Sequence, residues 1–212
     1  MPVLFASPAL AGGFSCYNKT MNNEIEATFY DINKDEIRAK LKELGAKLVY
    51  PEFLMRRVVY DTGKSSFARV RQEGNGVVMT YKSYEDDTQI MGCKEVNVRV
   101  DDYDAANLFM HGIGMKEKAN QDSYRELWEL DGVEITIDTW PWIPTYIEVE
   151  GPSEEDVWMV SGKLGFGKEE AHFGSVDRVY EYYHGVDMDI VNNETPVINF
   201  EIEPPKWVKN LK

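Results

Sequence analysis

The sequence predicts a mainly β fold of the α+β kind: an eight-stranded antiparallel barrel closed into a tunnel, with helices packed outside. Three observations carry that expectation. About eight segments alternate apolar and polar residues with period two. Most are joined by hairpin signals, Gly74-Asn75-Gly76 and Asp131-Gly132 above all. Strand after strand also carries charge of both signs on its polar face. An open sheet could leave such a face in water, but six charged faces together suit the lining of a closed interior.

The elements follow in order. NNEIEATFYD, residues 22–31, sets Ile25, Ala27 and Phe29 against Glu24, Glu26, Thr28 and Tyr30, which reads as a strand with one buried face. NKDEIRAKLKELG reads as a helix capped by Asn33 with Glu36 as its box partner, a stripe of Ile37, Leu41 and Leu44, and Gly45 as its stop. LMRRVVYDTG is a strand, and SFARVRQEGNGVVMTYKSY a hairpin with Arg69 and Arg71 on one face and Thr80 and Lys82 on another. GCKEVNVRV places Glu95, Asn97 and Arg99 together. A short helix, capped by Asp101 or Asp102, precedes the hairpin YRELWELDGVEITIDTW, where Glu134, Thr136 and Asp138 share a face. TYIEVEG does the same for Glu148 and Glu150. A helix capped by Ser153, with acids in its first turn, and a last helix, SVDRVYEYYHG, complete the domain.

One domain is expected over residues 23–186, between an N-terminal tail, 1–22, and an Asn-, Pro- and charge-rich C-terminal tail, 187–212. The first twenty residues hold an apolar stretch with a small-residue exit but no basic start, so they read as a loose tail, or Met21 as the natural beginning, rather than as a secretory leader. The 212 residues are 43% hydrophobic and 28% charged, too apolar for a disordered chain, and carry a net charge of −14. So acidic a chain is a poor nucleic-acid partner, and no apolar run is long enough to span a bilayer. Cys16 and Cys93 belong to no metal-binding motif, which fits a reducing, cytoplasmic setting.

An interior lined by cations on some strands and carboxylates on others is costly unless something fills it. A polyphosphate with a divalent metal meets both demands: basic side chains take phosphate oxygens, and carboxylates take the metal. Glu24 and Glu26 would then look inward at that metal.

The residues that carry this pattern also carry a resemblance over roughly 23–184. EIEAT, the Arg69-x-Arg71 strand, Lys82 after the hairpin, Glu95 in KEVNV, Arg125, then Asp138, Glu148 and Glu150 in IDTWPWIPTYIEVEG stand in the order of the CYTH superfamily, which the chain resembles. These are the triphosphate tunnel metalloenzymes, among them class IV adenylate cyclases and thiamine triphosphatases. The resemblance implies magnesium or manganese and a small-molecule triphosphate: a nucleoside triphosphate, thiamine triphosphate or inorganic triphosphate. It implies phosphate binding by Arg69, Arg71, Lys82 and Arg125, with Arg57, Arg56, Lys116 and Lys118 as further candidates. It implies metal binding by Glu24, Glu26, Glu95, Asp138, Glu148 and Glu150, with Glu24 and Glu26 also catalytic. Triphosphate hydrolysis is the expected chemistry, cyclic AMP formation from ATP and non-catalytic binding of a polyphosphate or nucleotide being the alternatives. Tunnel enzymes of this kind are often homodimers.

The chain departs from the pattern at three places. Thr28 stands where a lysine is expected, Asn97 where an acid is, and Ser123 where a base is. Without the lysine, Glu24 and Glu26 lack a neighbouring cation unless a metal or another strand supplies one. Trp140 and Trp142 read as packing, with stacking on a ligand ring as the alternative. His111, His172 and His184 read as surface residues or caps.

Overall fold

The computed structural model describes residues 21–211; the expectations for the first twenty residues lie outside them. The opening stretch is one strand broken at Ile25 into β1 (Asn22–Glu24) and β2 (Glu26–Phe29). Then follow α1 (Lys34–Glu43), β3 (Lys47–Asp61), β4 (Ser66–Glu73), β5 (Gly76–Tyr84), β6 (Cys93–Val100), α2 (Tyr103–Gly112), β7 (Glu117–Leu130), β8 (Val133–Thr139), β9 (Tyr146–Glu150), α3 (Glu154–Leu164), α4 (Val176–His184) and β10 (Val197–Ile198).

The strand order is β1-β6-β5-β4-β3-β7-β8-β9-β2, so the sheet starts and ends on the same stretch of chain. The break at Ile25 makes this work, because β1 pairs with β6 while β2 pairs with β9. The result is a nearly closed antiparallel barrel of nine strands, eight when the interrupted first strand is counted once. Where β2 parts from β6, loops meet its edge: Glu26 donates its N–H to Ile90 O, and Thr28 and His172 exchange two backbone bonds of 2.9 Å.

Closure needs bending, and β3 provides it. The expected strand began at Leu54, but β3 starts seven residues earlier and runs through Pro51, with three register shifts against β7. Such bulges bend the strand, and they let a proline sit where the ladder is already interrupted. Tight turns complete the hairpins. Asp131 and Gly132 both adopt positive φ, the conformation of a two-residue turn whose twist matches its strands.

The apolar faces point outward, under the helices. Asn33 caps α1 through Oδ1 and Ser153 caps α3 through Oγ. Ile37 and Leu41 from α1, and Val157 and Val160 from α3, pack on Ala27, Phe29, Ile135, Ile137, Ile147 and Val149. Across the barrel, α2 is capped by Asp102 and lays Ala106 and Met110 on Val58, Val70 and Val77. Truncating one of these buried aliphatics to alanine costs about 2–5 kcal/mol. With the greasy face covered, the charged face is left inside.

The segment after Gly185, read from sequence as a tail, returns to the barrel. Val191 and Ile198 are buried, β10 pairs in parallel with β7, and Trp207 packs on Tyr180 and His184. Its apolar residues are too sparse to show a period, which is why the sequence hides this packing. His184 is likewise not a surface residue. It is 1% exposed, with Nε2 2.9 Å from Trp142 O and Nδ1 accepting the Lys209 N–H at 3.1 Å.

Candidate functional site

The barrel encloses a cavity of about 1180 Å³, open to solvent and lined by the charged faces. Its two walls differ in sign. β2, β9 and β8 form the acidic one. Glu26 lies opposite Glu150, which in turn lies opposite Glu134. Like charges directly opposed across strands are unfavourable, and three in a row need a counter-charge. Glu24, one pleat before Glu26, joins them: Glu24, Glu26 and Glu150 each offer an oxygen, all within 4.8 Å of one another.

The electrostatics record that crowding. Burial, then the charges of Glu24 and Glu148, push Glu26 well above the usual carboxylate range. Burial and then Glu24 raise Glu150 to about 7. Burial also pushes Glu24 up, but the Lys82 ammonium overcomes it and holds Glu24 below its ordinary value. Lys82 reaches across from β5, bonding Glu24 and lying 3.6 Å from Glu95. The cation missing at position 28 is thus supplied to Glu24 by another strand. Glu26 and Glu150 receive none among the described residues. Glu24 Oε2 is buried with no hydrogen-bond partner among the described residues. A cluster of hard, anionic oxygens with one lone pair unserved fits a divalent cation such as magnesium or manganese.

The opposite wall is basic. Arg57 on β3 lies opposite Arg71 on β4, with Arg69 two residues back and Arg125 on β7. Two of these guanidiniums are already neutralised. Arg125 holds Asp138 through two bonds of 2.7 Å and Glu148 at 2.6 Å. Arg71 bonds Glu73 through Nε at 2.8 Å; burial, then Arg69, still bring Arg71 down to about 10. Arg57 and Arg69 have no carboxylate partner among the described residues.

The predicted residues sort as follows. Glu24, Glu26, Glu95, Glu148, Glu150, Arg57, Arg69, Arg71, Lys82, Arg125 and Lys118 all line the cavity. Glu24, Glu26 and Glu150 form the carboxylate cluster, while Glu95 and Glu148 are occupied by Lys82 and Arg125. Asp138 lies behind that wall: it is fully buried, with Arg125 on both oxygens and Thr136 Oγ1 donating to Oδ2 at 2.7 Å. Its place is to hold Arg125. Lys116 does not line the cavity. Arg56 points away from it, bonding Gln72 at 2.8 Å and lying 5.6 Å above the Tyr103 ring. Thr28 is buried opposite Glu148 and outside the lining. Sequence reasoning missed Glu73 and Glu134 as site residues. Continuing the period-two parity from Arg71 would have found the first; the second already shared the charged face of Thr136 and Asp138, and only its opposition to Glu150 needed the β8–β9 register.

The CYTH domain family model matches residues 22–173, the whole barrel from β1 through α3. The chain belongs to the CYTH domain family. Members depend on a divalent metal and bind triphosphates such as ATP. Similar solved structures include a Pyrococcus horikoshii protein, 23% identical at a TM-score of 0.61, covering 70% of this chain and 94% of that one. A provisionally assigned adenylate cyclase of Vibrio parahaemolyticus is 12% identical at a TM-score of 0.63, covering 76% and 99%. Another from Bacillus halodurans is 15% identical at 0.50, covering 74% and 97%. At these identities the likeness establishes the fold. No protein with a curated description matches the sequence. Among the described residues no helix is long and apolar enough to cross a membrane.

Proposed function

We propose that this CYTH protein is a metal-dependent, cytoplasmic triphosphate hydrolase acting on a nucleoside, thiamine or inorganic triphosphate. The observation that carries the reading is the facing of two walls in one cavity: three carboxylates within 4.8 Å of one another against a basic wall with uncompensated guanidiniums. Glu24, Glu26 and Glu150 would hold magnesium or manganese, and Arg69, Arg71, Lys82 and Arg125 would bind and orient the phosphates. A divalent cation there supplies charge neutralisation of the phosphates and acidification of water. Glu24 and Glu26, beside that cation, would orient the attacking water and take its proton.

Cyclic AMP formation is the second reading, favoured by the two structural relatives that carry an adenylate cyclase name. The same tunnel serves both, differing in which phosphorus meets the nucleophile. Incubation with ATP, thiamine triphosphate and inorganic triphosphate, with magnesium or manganese, separates them by product. Orthophosphate supports hydrolysis, and cyclic AMP with pyrophosphate supports the cyclase. Tight binding with no product leaves a receptor. A homodimer is part of the proposal and is read by sedimentation.

A further inference from the structure

The basic wall holds three orphaned donors. Arg57 Nε, Arg69 Nε and Trp140 Nε1 are all buried and have no hydrogen-bond partner among the described residues. All three residues line the cavity. A buried, unserved N–H is rare, and its cost is that of desolvation without a bond. The two guanidinium donors, bordering one space, point to an acceptor-rich ligand, while the Trp140 ring is engaged by Arg57.

Arg57 is the most constrained of the three. It is 5% exposed, and its guanidinium carbon lies 4.4 Å from the centroid of the Trp140 ring. Its Nη2 donates to Ser123 Oγ on the neighbouring strand β7. Burial first, then the charges of Arg71, Arg69 and Arg125, weigh against its positive charge. Arg125 and Arg71 each find a carboxylate. Arg57 instead finds an aromatic face and a hydroxyl, which fix its plane without cancelling its charge.

We infer that Arg57 determines selectivity for the triphosphate, and that Trp140 is its positioning residue, holding the guanidinium plane toward the cavity with Ser123. This inference rests on the triphosphate reading above and adds residues to it. Ser123 is small because its place is taken by the Arg57 guanidinium arriving from β3. The wall then carries its free charge on Arg57 and Arg69, while Arg71 and Arg125 are engaged with carboxylates. The Trp140 indole faces Arg57 and is not free to stack on a ligand ring.

The test is a double-mutant cycle read by calorimetry, with magnesium and the non-hydrolysable di-imido analogue of inorganic triphosphate as probe, and orthophosphate as the comparison. Arg57→Gln is expected to weaken the analogue about tenfold or more and orthophosphate less. Trp140→Leu is expected to weaken it roughly two- to thirtyfold in the native background. In the Arg57→Gln background the same change is expected to cost nothing further, because Trp140 acts through Arg57. Trp140→Phe keeps an aromatic face and tests the same coupling should the leucine variant not fold. Additive losses, or an Arg57→Gln protein that binds like the native one, would overturn the inference and leave the triphosphate reading standing. A native protein that binds no analogue at all would remove both.

Discussion

Glu150→Gln is expected to stabilise the metal-free protein at alkaline pH and to remove its stabilisation by magnesium or manganese. Glu150 faces Glu26 on one side and Glu134 on the other, and its carboxyl is raised from 4.5 to about 7 by burial and then by Glu24. A carboxyl raised in the folded state holds its proton more tightly than the unfolded chain does. Its ionisation therefore costs stability. The cost is absent below about pH 4.5, grows between 4.5 and about 7, and is constant above. A shift of that size would be worth about 3 kcal/mol in a dry site. Glu150 is exposed to the solvent of the cavity, so screening reduces it to about 1–2 kcal/mol. Glutamine keeps the shape and drops the charge.

The assay is thermal unfolding with chelator at pH 8 and pH 5. At pH 8 the variant is expected to melt higher by about 2–8 °C. At pH 5 about half of the difference survives, because the unfolded chain is already mostly ionised there while the folded carboxyl is not. With metal at a hundred times its dissociation constant the native protein gains about 2.7 kcal/mol, and the variant much less. A variant that melts lower than the native protein at pH 8, or that keeps the full metal response, would refute the carboxylate cluster as a site of mutual repulsion relieved by a cation.

Three further outcomes are expected. Arg69→Ala should weaken triphosphate by about tenfold or more and orthophosphate less, because its guanidinium is uncompensated; equal losses in calorimetry would make it structural. Asp138→Asn should cost about 3–5 kcal/mol, since it leaves Arg125 buried without its double partner, while the metal-induced rise in Tm survives; a native Tm with no metal response would make Asp138 a ligand. Glu148→Gln should lower phosphate release with the fold intact by circular dichroism, because it weakens one of the three bonds that orient Arg125; unchanged turnover would take Glu148 out of the machinery.

Much of this architecture is legible in the sequence because a barrel strand writes its facing into parity. Glu24 and Glu26, Arg69 and Arg71, Glu148 and Glu150 all line the cavity that their alternation predicted. What parity cannot show is which charge meets which. Asp138 has the parity of Thr136 and Glu134, yet it sits behind Arg125, because the β7–β8 register sets Arg125 directly opposite it. Arg56 and Arg57 are adjacent in sequence, so one must face out, and only the pairing of Arg57 with Arg71 says which. The C-terminal segment was hidden for another reason: a two-residue strand and single buried side chains have no period to read.

The charge pattern explains why the absent lysine at position 28 is tolerable. Lys82 from β5 already takes Glu24, so a second ammonium near β2 could serve only Glu26 and Glu150. Those two carboxyls are the part of the wall left unbalanced, and the imbalance leaves room for a divalent cation. The opposite wall mirrors this. Arg71 and Arg125 are matched by Glu73 and Asp138, while Arg57 and Arg69 are not. Each wall therefore keeps a matched part that holds geometry and an unmatched part that strains the ligand-free protein. A metal–polyphosphate ligand would supply both missing charges at once, with Glu26 and Glu150 available to hold its cation and Arg57 and Arg69 its anion. Metal and triphosphate should accordingly bind with positive coupling, each raising the other's affinity by the same factor.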